Sequence, residues 1–271
     1  MVVALTGRSA WRLWKRAGSA VLELHTRAVR VGACSGAAMD RLEGADPEQR
    51  VLMEEQVICV DRNDQVLGPD SKKRTHLAEH GPILHRAFSV FLFNKDHEML
   101  LQQRASVKVT FADYWTNTCC SHPLYVEEEL APGGDTLLGV KNAAIRKLQH
   151  ELGIPCHTFT PDDFHFLTRI HYRALSDCGE WGEHEIDYVL FAKRDEVVIE
   201  PQPNEVRGIK YVTPDQLRDM FEQEHQNQIK LTPWFKHIMN RFGFEWWDAF
   251  KAGKLATHLH DQTIHRFVSD D

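Results

Sequence analysis

The chain has 271 residues, 42% of them hydrophobic and 26% charged, a composition typical of one large or two small globular domains. Its longest apolar run, residues 87–93, is far too short to cross a bilayer. The net charge is −7; residues 1–39 hold six basic and one acidic side chain, or +5, which leaves −12 for the remainder. Such an acidic body argues against nucleic acid or an anionic membrane as the main partner.

The first 45 residues differ from the rest of the chain. They are rich in arginine and carry Trp11, Leu13 and Trp14 among the basic residues, as a mitochondrial or plastid transit peptide does. A disordered basic tail, or an extended reading frame with Met39 as the true start, remains an alternative. If the leader acts as a targeting signal, we expect the protein in a mitochondrion or plastid. If it does not, we expect the protein in the cytoplasm or a peroxisome. Residues 46–255 are expected to form the main domain and residues 256–271 a C-terminal tail.

The hydrophobic pattern becomes regular after Pro47. Residues 52–60 are typical of a helical turn or a strand. Residues 88–93 predict a strand, and residues 99–103 predict its hairpin partner across the turn 94–97. Residues 126–136 are acidic and contain Gly and Pro, which predicts a loop.

The clearest helix is predicted over residues 138–152. An apolar residue recurs every four positions there, and Gly153 is a typical helix stop. Thr213-Pro214 and Thr232-Pro233 open two more helices, which run to about residues 224 and 251. Further strands are predicted at 164–174, 186–192, 197–200 and 208–212. This order predicts a single-domain α/β (α+β) fold with mixed or antiparallel strands rather than regular βαβ units.

Residues 115–123 concentrate the reactive side chains. In an extended segment, Cys120 and His122 share one face while Cys119 points the other way. Adjacent cysteines bridge only with severe strain, so we expect one functional thiol and one packing thiol. Two packing thiols are the alternative, but the polar neighbours favour a functional site. The six cysteines show no CxxC pair and no disulfide framework, which predicts free thiols in a reducing compartment.

Five side chains are candidate metal ligands, namely His76, His85, His122, Glu183 and Glu185. The two glutamates share a strand face, and their charges repel unless a cation lies between them. A solvated strand face is the alternative, and spacing alone does not unite the five. Such a mixed set suits Mn, Fe, Zn or Mg.

Further candidates could bind an anion or line a pocket. Lys72, Arg104 and Lys108 have the chemistry to bind phosphate, although ordinary surface positions are equally consistent with the sequence. Glu151 could hold a second metal or simply be exposed. Trp234 begins an aromatic-rich stretch that is typical of a core, but its place at a helix start could put its ring at a pocket mouth.

Four motifs together resemble the type I isopentenyl-diphosphate delta-isomerases, of the eukaryotic type. They are residues 85–94 (HRAFSVFLFN), 101–104 (LQQR), 116–124 (TNTCCSHPL) and 181–188 (WGEHEIDY). The resemblance covers about residues 50–250. It implies a Nudix-like fold, with mixed sheets flanked by helices, and the interconversion of isopentenyl and dimethylallyl diphosphate in isoprenoid biosynthesis.

The resemblance also implies roles for individual residues. Cys120, Glu185 and Tyr172 would be catalytic, and the diphosphate would meet Lys72, Arg104, Lys108 and Ser121, with Trp234 in the pocket. The five His and Glu ligands would hold a divalent metal (Mg²⁺, Mn²⁺ or Zn²⁺). Glu151 would reach a Mg²⁺ on the substrate. The expected partner is a small-molecule diphosphate, and the expected state is a monomer.

One departure separates the chain from Nudix hydrolases. Their signature helix carries an Arg-Glu pair and tandem glutamates, whereas residues 146–153 (RKLQHELG) keep only Glu151. Pyrophosphate hydrolysis would lack most of its metal ligands. A Nudix-type hydrolase nevertheless stays an alternative, as do a catalytically inactive metal-binding scaffold and, more weakly, a cysteine hydrolase that uses Cys120 and His122.

Overall fold

The computed structural model describes residues 42–268, so the predicted leader lies outside the described residues except for its last four positions. That range contains seven α-helices and ten strands. The helices are α1 (Pro47–Leu52), α2 (Lys72–His76), α3 (Glu127–Leu130), α4 (Thr136–Leu152), α5 (Pro214–His225), α6 (Pro233–Ile238) and α7 (Phe244–Lys251). The strands are β1 (Gln56–Val60), β2 (Val66–Ser71), β3 (His85–Phe93), β4 (Met99–Arg104), β5 (Trp115–Thr116), β6 (Cys119–Ser121), β7 (His165–Leu175), β8 (Gly182–Lys193), β9 (Val206–Val212) and β10 (Ile264–Arg266).

Strand β3 is the centre of the sheet because both its faces and both its edges are covered. Its nine residues are all buried, with Phe88 and Val90 facing one core cluster and Phe91 and Phe93 facing the other. One edge pairs in parallel with β8 along the full length of β3, and β1, β6 and β4 share the other edge. A strand covered on both faces requires the near-continuous apolar run seen in the sequence.

The sheet lies between two helical layers. Its main path runs β10-β7-β8-β3-β1-β2, and β4 extends it through β5 and β9. Helix α4 covers one face with the predicted stripe, and Val140, Ala144, Leu148 and Leu152 are at most 1% exposed. Helices α5, α6 and α7 cover the other face. The mixed α/β arrangement predicted from the sequence is therefore confirmed.

The helix boundaries follow their predicted signals. Gly153 ends α4 in the left-handed conformation, with φ 64°. Thr213 caps α5 in a capping box with Gln216. The long terminal helix predicted after Thr232 runs from α6 into α7 through a π-helical turn, Met239–Gly243. No described helix combines the length and apolarity that a bilayer crossing needs.

Three local predictions differ from the structure. The β3–β4 hairpin keeps a single pair, Phe93↔Met99, because β6 takes the edge of β3 and β4 pairs with β9 instead. Residues 197–200 are not a strand, since the N–H of Glu200 bonds the carbonyl of Leu152 at the end of α4. The predicted loop 126–136 contains α3 and a short 3₁₀ turn.

The predicted C-terminal tail contributes to the sheet up to the end of the described range. Ile264–Arg266 pairs in parallel with β7 as strand β10. The side-chain hydroxyl of Thr168 donates to Asp261 and to the carbonyl of Thr263, both at 3.1 Å. At the other end, Leu42 packs with Met53 and Trp181, inside the stretch assigned to the leader.

Candidate active site and metal centre

One pocket gathers most of the side chains that the sequence singled out, and we call it the central pocket. Eleven of its twelve lining residues are sequence candidates, and the twelfth is Thr110. They are Lys72, Arg104, Lys108, Thr110, Cys120, Ser121, His122, Glu151, Tyr172, Glu183, Glu185 and Trp234. The two remaining candidates, His76 and His85, lie fully buried against His122 and the two glutamates.

The strand register brings these residues together. On β8, Glu185 lies opposite His85 of β3 on one side and opposite Tyr172 of β7 on the other. An isolated bridge between Leu77 and Trp181 joins the end of α2, which carries His76, to the start of β8. Sequence spacing alone does not reveal this register, because it depends on three long-range strand pairings.

The predicted metal ligands form one buried group, which we call the His/Glu cluster. One ligand atom from each of the five residues lies within 4.8 Å of every other. The shortest approach joins His76 Nε2 and Glu183 Oε2, at 2.7 Å. His122 Nε2 lies 2.8 Å from Glu185 Oε1.

The proton positions in the His/Glu cluster favour a cation. His76 Nδ1 donates to the carbonyl of Lys72 at 2.7 Å, and His85 Nδ1 donates to the carbonyl of Ile83 at 2.7 Å. Each Nε2 therefore offers a lone pair to the cluster. The Nε2 atoms of both histidines and Oε2 of Glu183 are buried and meet no hydrogen-bond donor among residues 42–268, because the 2.7 Å contact between His76 and Glu183 joins two acceptors. Buried acceptors that face one another are costly unless a cation joins them, and this carbonyl-anchored imidazole is the usual form of a metal ligand.

The protonation states agree with that assignment. Burial lowers the pKa of His76 and lowers that of His122 well below its ordinary value, so both rings are neutral at physiological pH. Burial acts to raise the pKa of Glu183, but its interactions with His76 and His122 together leave the pKa below the ordinary value. Neutral imidazoles and ionised carboxylates are the forms that bind a divalent metal.

The two adjacent cysteines point to opposite sides of β6, as predicted. Cys119 is fully buried in the core beneath α4, and its Sγ lies 3.5 Å from Glu151 Oε2. Cys120 lines the central pocket, with Arg104 Nη1 at 3.8 Å from its Sγ. Burial raises the pKa of Cys120 to about 12, and the charge of Arg104 opposes that shift only in part. The Cys120 thiol is therefore protonated at neutral pH.

Glu185 lies between a candidate metal ligand, His122, and a phenol, Tyr172. Tyr172 OH donates to Oε2 at 2.5 Å, while His122 approaches Oε1. Burial acts to raise the pKa of Glu185, but its interactions with His85 and Tyr172 leave the pKa below the ordinary value. Burial also raises the pKa of Tyr172 well above its usual range, so the phenol keeps its proton.

The predicted anion ligands are not ordinary surface residues. Arg104 is 7% exposed, and its guanidinium donates to the carbonyls of Phe111 at 3.1 Å and Thr110 at 2.9 Å. Lys108 Nζ donates to Glu205 at 2.5 Å. Burial lowers the pKa of Lys72 to about 8, and the nearby lysine charges act in the same direction. Cations concentrated in this way are suited to a highly charged anion.

The wall around Glu151 contains residues that the sequence did not single out. Glu151 is 4% exposed, which rules out the surface alternative. Its carboxylate accepts from Gln102 at 3.0 Å and lies 3.3 Å from Lys147 Nζ. Lys147 occupies a position where the Nudix hydrolases have a signature glutamate. This departure is the sequence feature from which the role of Lys147 in the pocket wall could have been suspected.

A hydrogen-bond network fixes the ring of Trp234. Its Nε1 donates to Asn117 Oδ1 at 3.2 Å. Asn117 Nδ2 in turn donates to the carbonyls of Val90 and Cys119, at 3.1 and 2.9 Å, which sets the orientation of the amide. Asn117 belongs to the cysteine motif, but sequence reasoning treated it only as a polar neighbour.

Comparisons with known proteins agree with this site. Residues 83–235 match the NUDIX domain. An isopentenyl-diphosphate delta-isomerase of Gibberella zeae is 51% identical over 228 residues, which span 83% of this chain and 88% of that protein. The isopentenyl-diphosphate delta-isomerase II, chloroplastic, of Arabidopsis thaliana is 48% identical over 242 residues, spanning 86% of this chain and 84% of that protein.

A solved structure from Deinococcus radiodurans is similar at 14% identity with a TM-score of 0.48, covering 69% of this chain and 99% of that one. The family assignment depends instead on the domain match and on relatives near 50% identity over most of both chains. It confirms the resemblance drawn from the four motifs. The chain belongs to the isopentenyl-diphosphate delta-isomerases that carry a NUDIX domain.

Proposed function

We propose that the protein interconverts isopentenyl diphosphate and dimethylallyl diphosphate by adding a proton at one end of the allylic system and removing one at the other. The observation that carries this proposal is that a protonated thiol, Cys120, shares the central pocket with the hydrogen-bonded pair Glu185 and Tyr172. The alkene is unactivated, so the reaction needs two acid/base groups rather than a nucleophile with its base.

Cys120 and Glu185 divide the proton transfers. Because the reaction is reversible, each group donates in one direction and accepts in the other. Arg104 lies 3.8 Å from the Cys120 sulfur and stabilises it when its proton has left. The hydrogen bond from Tyr172 limits how basic Glu185 becomes and fixes which oxygen faces the substrate.

The His/Glu cluster would hold one divalent metal through His76, His85, His122, Glu183 and Glu185, which fit such an ion because their buried acceptor atoms face one another. A bound metal would supply positive charge that keeps Glu185 ionised and in place. Mg²⁺, Mn²⁺ and Zn²⁺ are the candidate ions. A separate Mg²⁺ would accompany the substrate diphosphate, with Glu151 as its protein ligand.

The substrate would enter with its diphosphate towards Lys72, Arg104, Lys108 and Ser121, which all line the pocket. Trp234 would lie beside the hydrocarbon, where its face stabilises the tertiary carbocation by about 1–2 kcal/mol once water is excluded. Excluding water also matters because water would trap the cation.

The test is incubation with isopentenyl diphosphate and Mg²⁺ in D₂O. We expect deuterium-labelled dimethylallyl diphosphate from the wild type and almost none from Cys120→Ala or Glu185→Gln. Cys119→Ala is the matched control, since that neighbouring thiol faces the core and should leave most of the activity intact. Absence of product from folded, metal-loaded wild type would reject the assignment.

A diphosphate hydrolase is disfavoured by α4. Where the hydrolase signature requires carboxylates, the helix carries Lys147 and His150, and Lys147 Nζ lies 2.9 Å from His150 Nδ1. A cation placed there opposes metal binding at that position. Release of phosphate from a panel of diphosphates would revive this alternative.

The proposal extends to location and pathway. We propose that residues 1–45 direct the protein to a mitochondrion or plastid, where it would supply isoprenoid biosynthesis. The support is the basic composition of the leader and the chloroplastic designation of the Arabidopsis relative. A fluorescent reporter fused behind residues 1–45 that stayed in the cytosol would contradict it.

A further inference from the structure

The segment 126–136 reaches the metal centre through one buried carboxylate. Glu129 of α3 is 5% exposed. Its Oε1 accepts from Arg146 Nε at 2.5 Å, and its Oε2 accepts from Arg146 Nη2 at 2.9 Å, so the pair is bidentate. Oε2 also accepts the backbone N–H of Leu124 at 2.8 Å. We call this pair the Glu129–Arg146 clamp.

The clamp holds the backbone on both sides of Pro123, the residue that follows the proposed metal ligand His122. Arg146 Nη2 donates to the carbonyl of His122 at 3.2 Å, and Glu129 accepts from Leu124 two residues later. Pro123, between them, has no N–H to donate and restricts His122 to extended conformations. The clamp therefore holds the His122 carbonyl and the Leu124 N–H, the two backbone groups on either side of Pro123.

Helix α4 is built to let Glu129 approach. A Cβ atom at Gly139 would collide with the backbone carbonyl of Glu129, so only glycine permits this contact. Asn142 Nδ2 donates to the carbonyl of Glu128 at 2.8 Å and fixes the same turn. The position of α3 thus depends on specific contacts with α4 rather than on apolar packing alone.

His122 needs such support more than the other two histidines do. The Nδ1 atoms of His76 and His85 are anchored by backbone carbonyls, whereas within residues 42–268 no hydrogen bond is found at Nδ1 of His122. Its ring extends from the end of β6, a strand of only three residues. Apart from the contact of its Nε2 with Glu185 at 2.8 Å, the orientation of the His122 ring therefore depends on its backbone.

We propose that Glu129 and Arg146 are positioning residues that hold His122 in the geometry for binding the metal. This inference builds on the metal centre of the proposed function. Partners outside the ligand shell that orient metal-binding histidines typically contribute 10- to 100-fold in metal affinity, roughly, and the clamp would act in this way through the main chain.

The experiment is a metal titration of the metal-free protein, with Zn²⁺ or Co²⁺ competing against a chromophoric chelator. We expect Glu129→Gln to weaken binding by about tenfold or more. Arg146→Lys should give a smaller loss, because it keeps the charge but loses the bidentate geometry. Asp163→Asn is the matched control: it breaks another Arg–carboxylate pair, with Arg194 at 2.9 Å, and should leave metal affinity unchanged.

Thermal unfolding with and without metal separates positioning from plain stabilisation. If the clamp positions His122, the rise in Tm on adding metal should be smaller in Glu129→Gln than in the wild type. Adding Glu129→Gln to His122→Ala should then cause no further loss of affinity. Should Glu129→Gln fail to fold, Arg146→Lys and Gly139→Ala test the same contact.

Two outcomes would overturn the inference in distinguishable ways. Variants that bind metal within about twofold of the wild type, with equal destabilisation in the presence and absence of metal, would reject the clamp as a positioning device and leave the metal centre intact. A wild type that binds no divalent metal would reject the metal centre, and the clamp with it.

Discussion

Individual hydrogen bonds in the central pocket determine what each reactive group can do. Glu185 accepts from Tyr172 on one oxygen, and the other oxygen faces His122. A second buried tyrosine, Tyr188, donates to a carboxylate in the same way, but its partner Asp64 lies in a separate network with Arg86. The two tyrosines therefore allow the proposed catalytic hydrogen bond of Tyr172 to be compared with a similar one outside the central pocket.

We expect Tyr172→Phe to lower kcat by about ten- to a hundredfold, since a hydrogen bond to a charged group contributes about 1.5–3 kcal/mol. Tyr188→Phe should instead lower the free energy of unfolding by about 1–2 kcal/mol and leave kcat unchanged. Steady-state kinetics and urea unfolding of both variants would check this pair. Equal losses of kcat in the two variants would contradict the assignment.

The second prediction at this scale concerns the Asn117–Trp234 hydrogen bond. If Asn117 orients the indole face towards the developing cation, Asn117→Ala should lower kcat by about tenfold with little change in KM. Trp234→Phe removes the same N–H, so the double variant should lose less than the two single losses combined. Fully additive losses would show that Asn117 acts on stability alone.

At the scale of elements, the site depends on ion pairs and hydrogen bonds between side chains of different elements. Glu205, just before β9, is 2% exposed and accepts from Lys108 in the β4–β5 loop and from Gln49 of α1. Burial acts to raise its pKa, but the charges of Lys108 and Lys147 outweigh it and hold the pKa well below the ordinary value. Glu205 thereby connects Lys108, a proposed diphosphate ligand, to α1 and to the start of β9.

We expect Glu205→Gln to destabilise the protein by about 3–5 kcal/mol at neutral pH, because it leaves buried lysines without their partner. A depressed folded-state pKa contributes stability that is fully present above the unfolded pKa of about 4.3 and is lost as pH falls towards the folded value. The gap between wild type and variant should stay constant from pH 8 to about 5 and narrow below about 4. Urea unfolding across this range would measure it, and a gap unchanged down to pH 3 would argue against the charge interaction.

At the scale of the whole molecule, the sheet is continuous from β2 to β10, so Ile264–Arg266, beyond residue 255, is part of the structural frame. Strand β10 completes the edge beside β7, and Phe267 stacks on His237 with ring centroids 4.7 Å apart. Arg266 Nη1 lies 2.8 Å from His171 Nδ1 on β7. These contacts brace the strand that carries Tyr172.

We therefore expect a chain ending at residue 255 to unfold at a Tm several degrees below one ending at residue 268, since about 1–2 kcal/mol shifts the Tm of a domain of this size by several degrees. Calorimetry of the two chains with the same N-terminus would test this. Equal Tm values would show that residues 256–268 are a dispensable tail, as the domain boundary drawn from the sequence implies.

Local sequence patterns predicted the helices correctly where one apolar face or one capping residue was enough to define the element. The stripe of α4, its Gly153 stop and the Thr213 cap depend on contacts within a few residues, and the structure confirms them. The prediction failed at residues 197–200, which have strand-like composition but bond to the end of α4. Strand pairing is a long-range event that local propensity does not encode.

The same division holds for the candidate site. The sequence by itself determined the inventory: a thiol beside a histidine, paired glutamates on one strand face, three basic anion ligands, and four motifs specific enough to indicate the family. Only the tertiary structure decided that His76, His85 and Glu185 meet, that Glu151 is buried, and that Arg146 and Glu129 hold His122. The physical reason is that residue chemistry is local, whereas proximity, burial and the resulting protonation states arise from the pairing of strands distant in sequence.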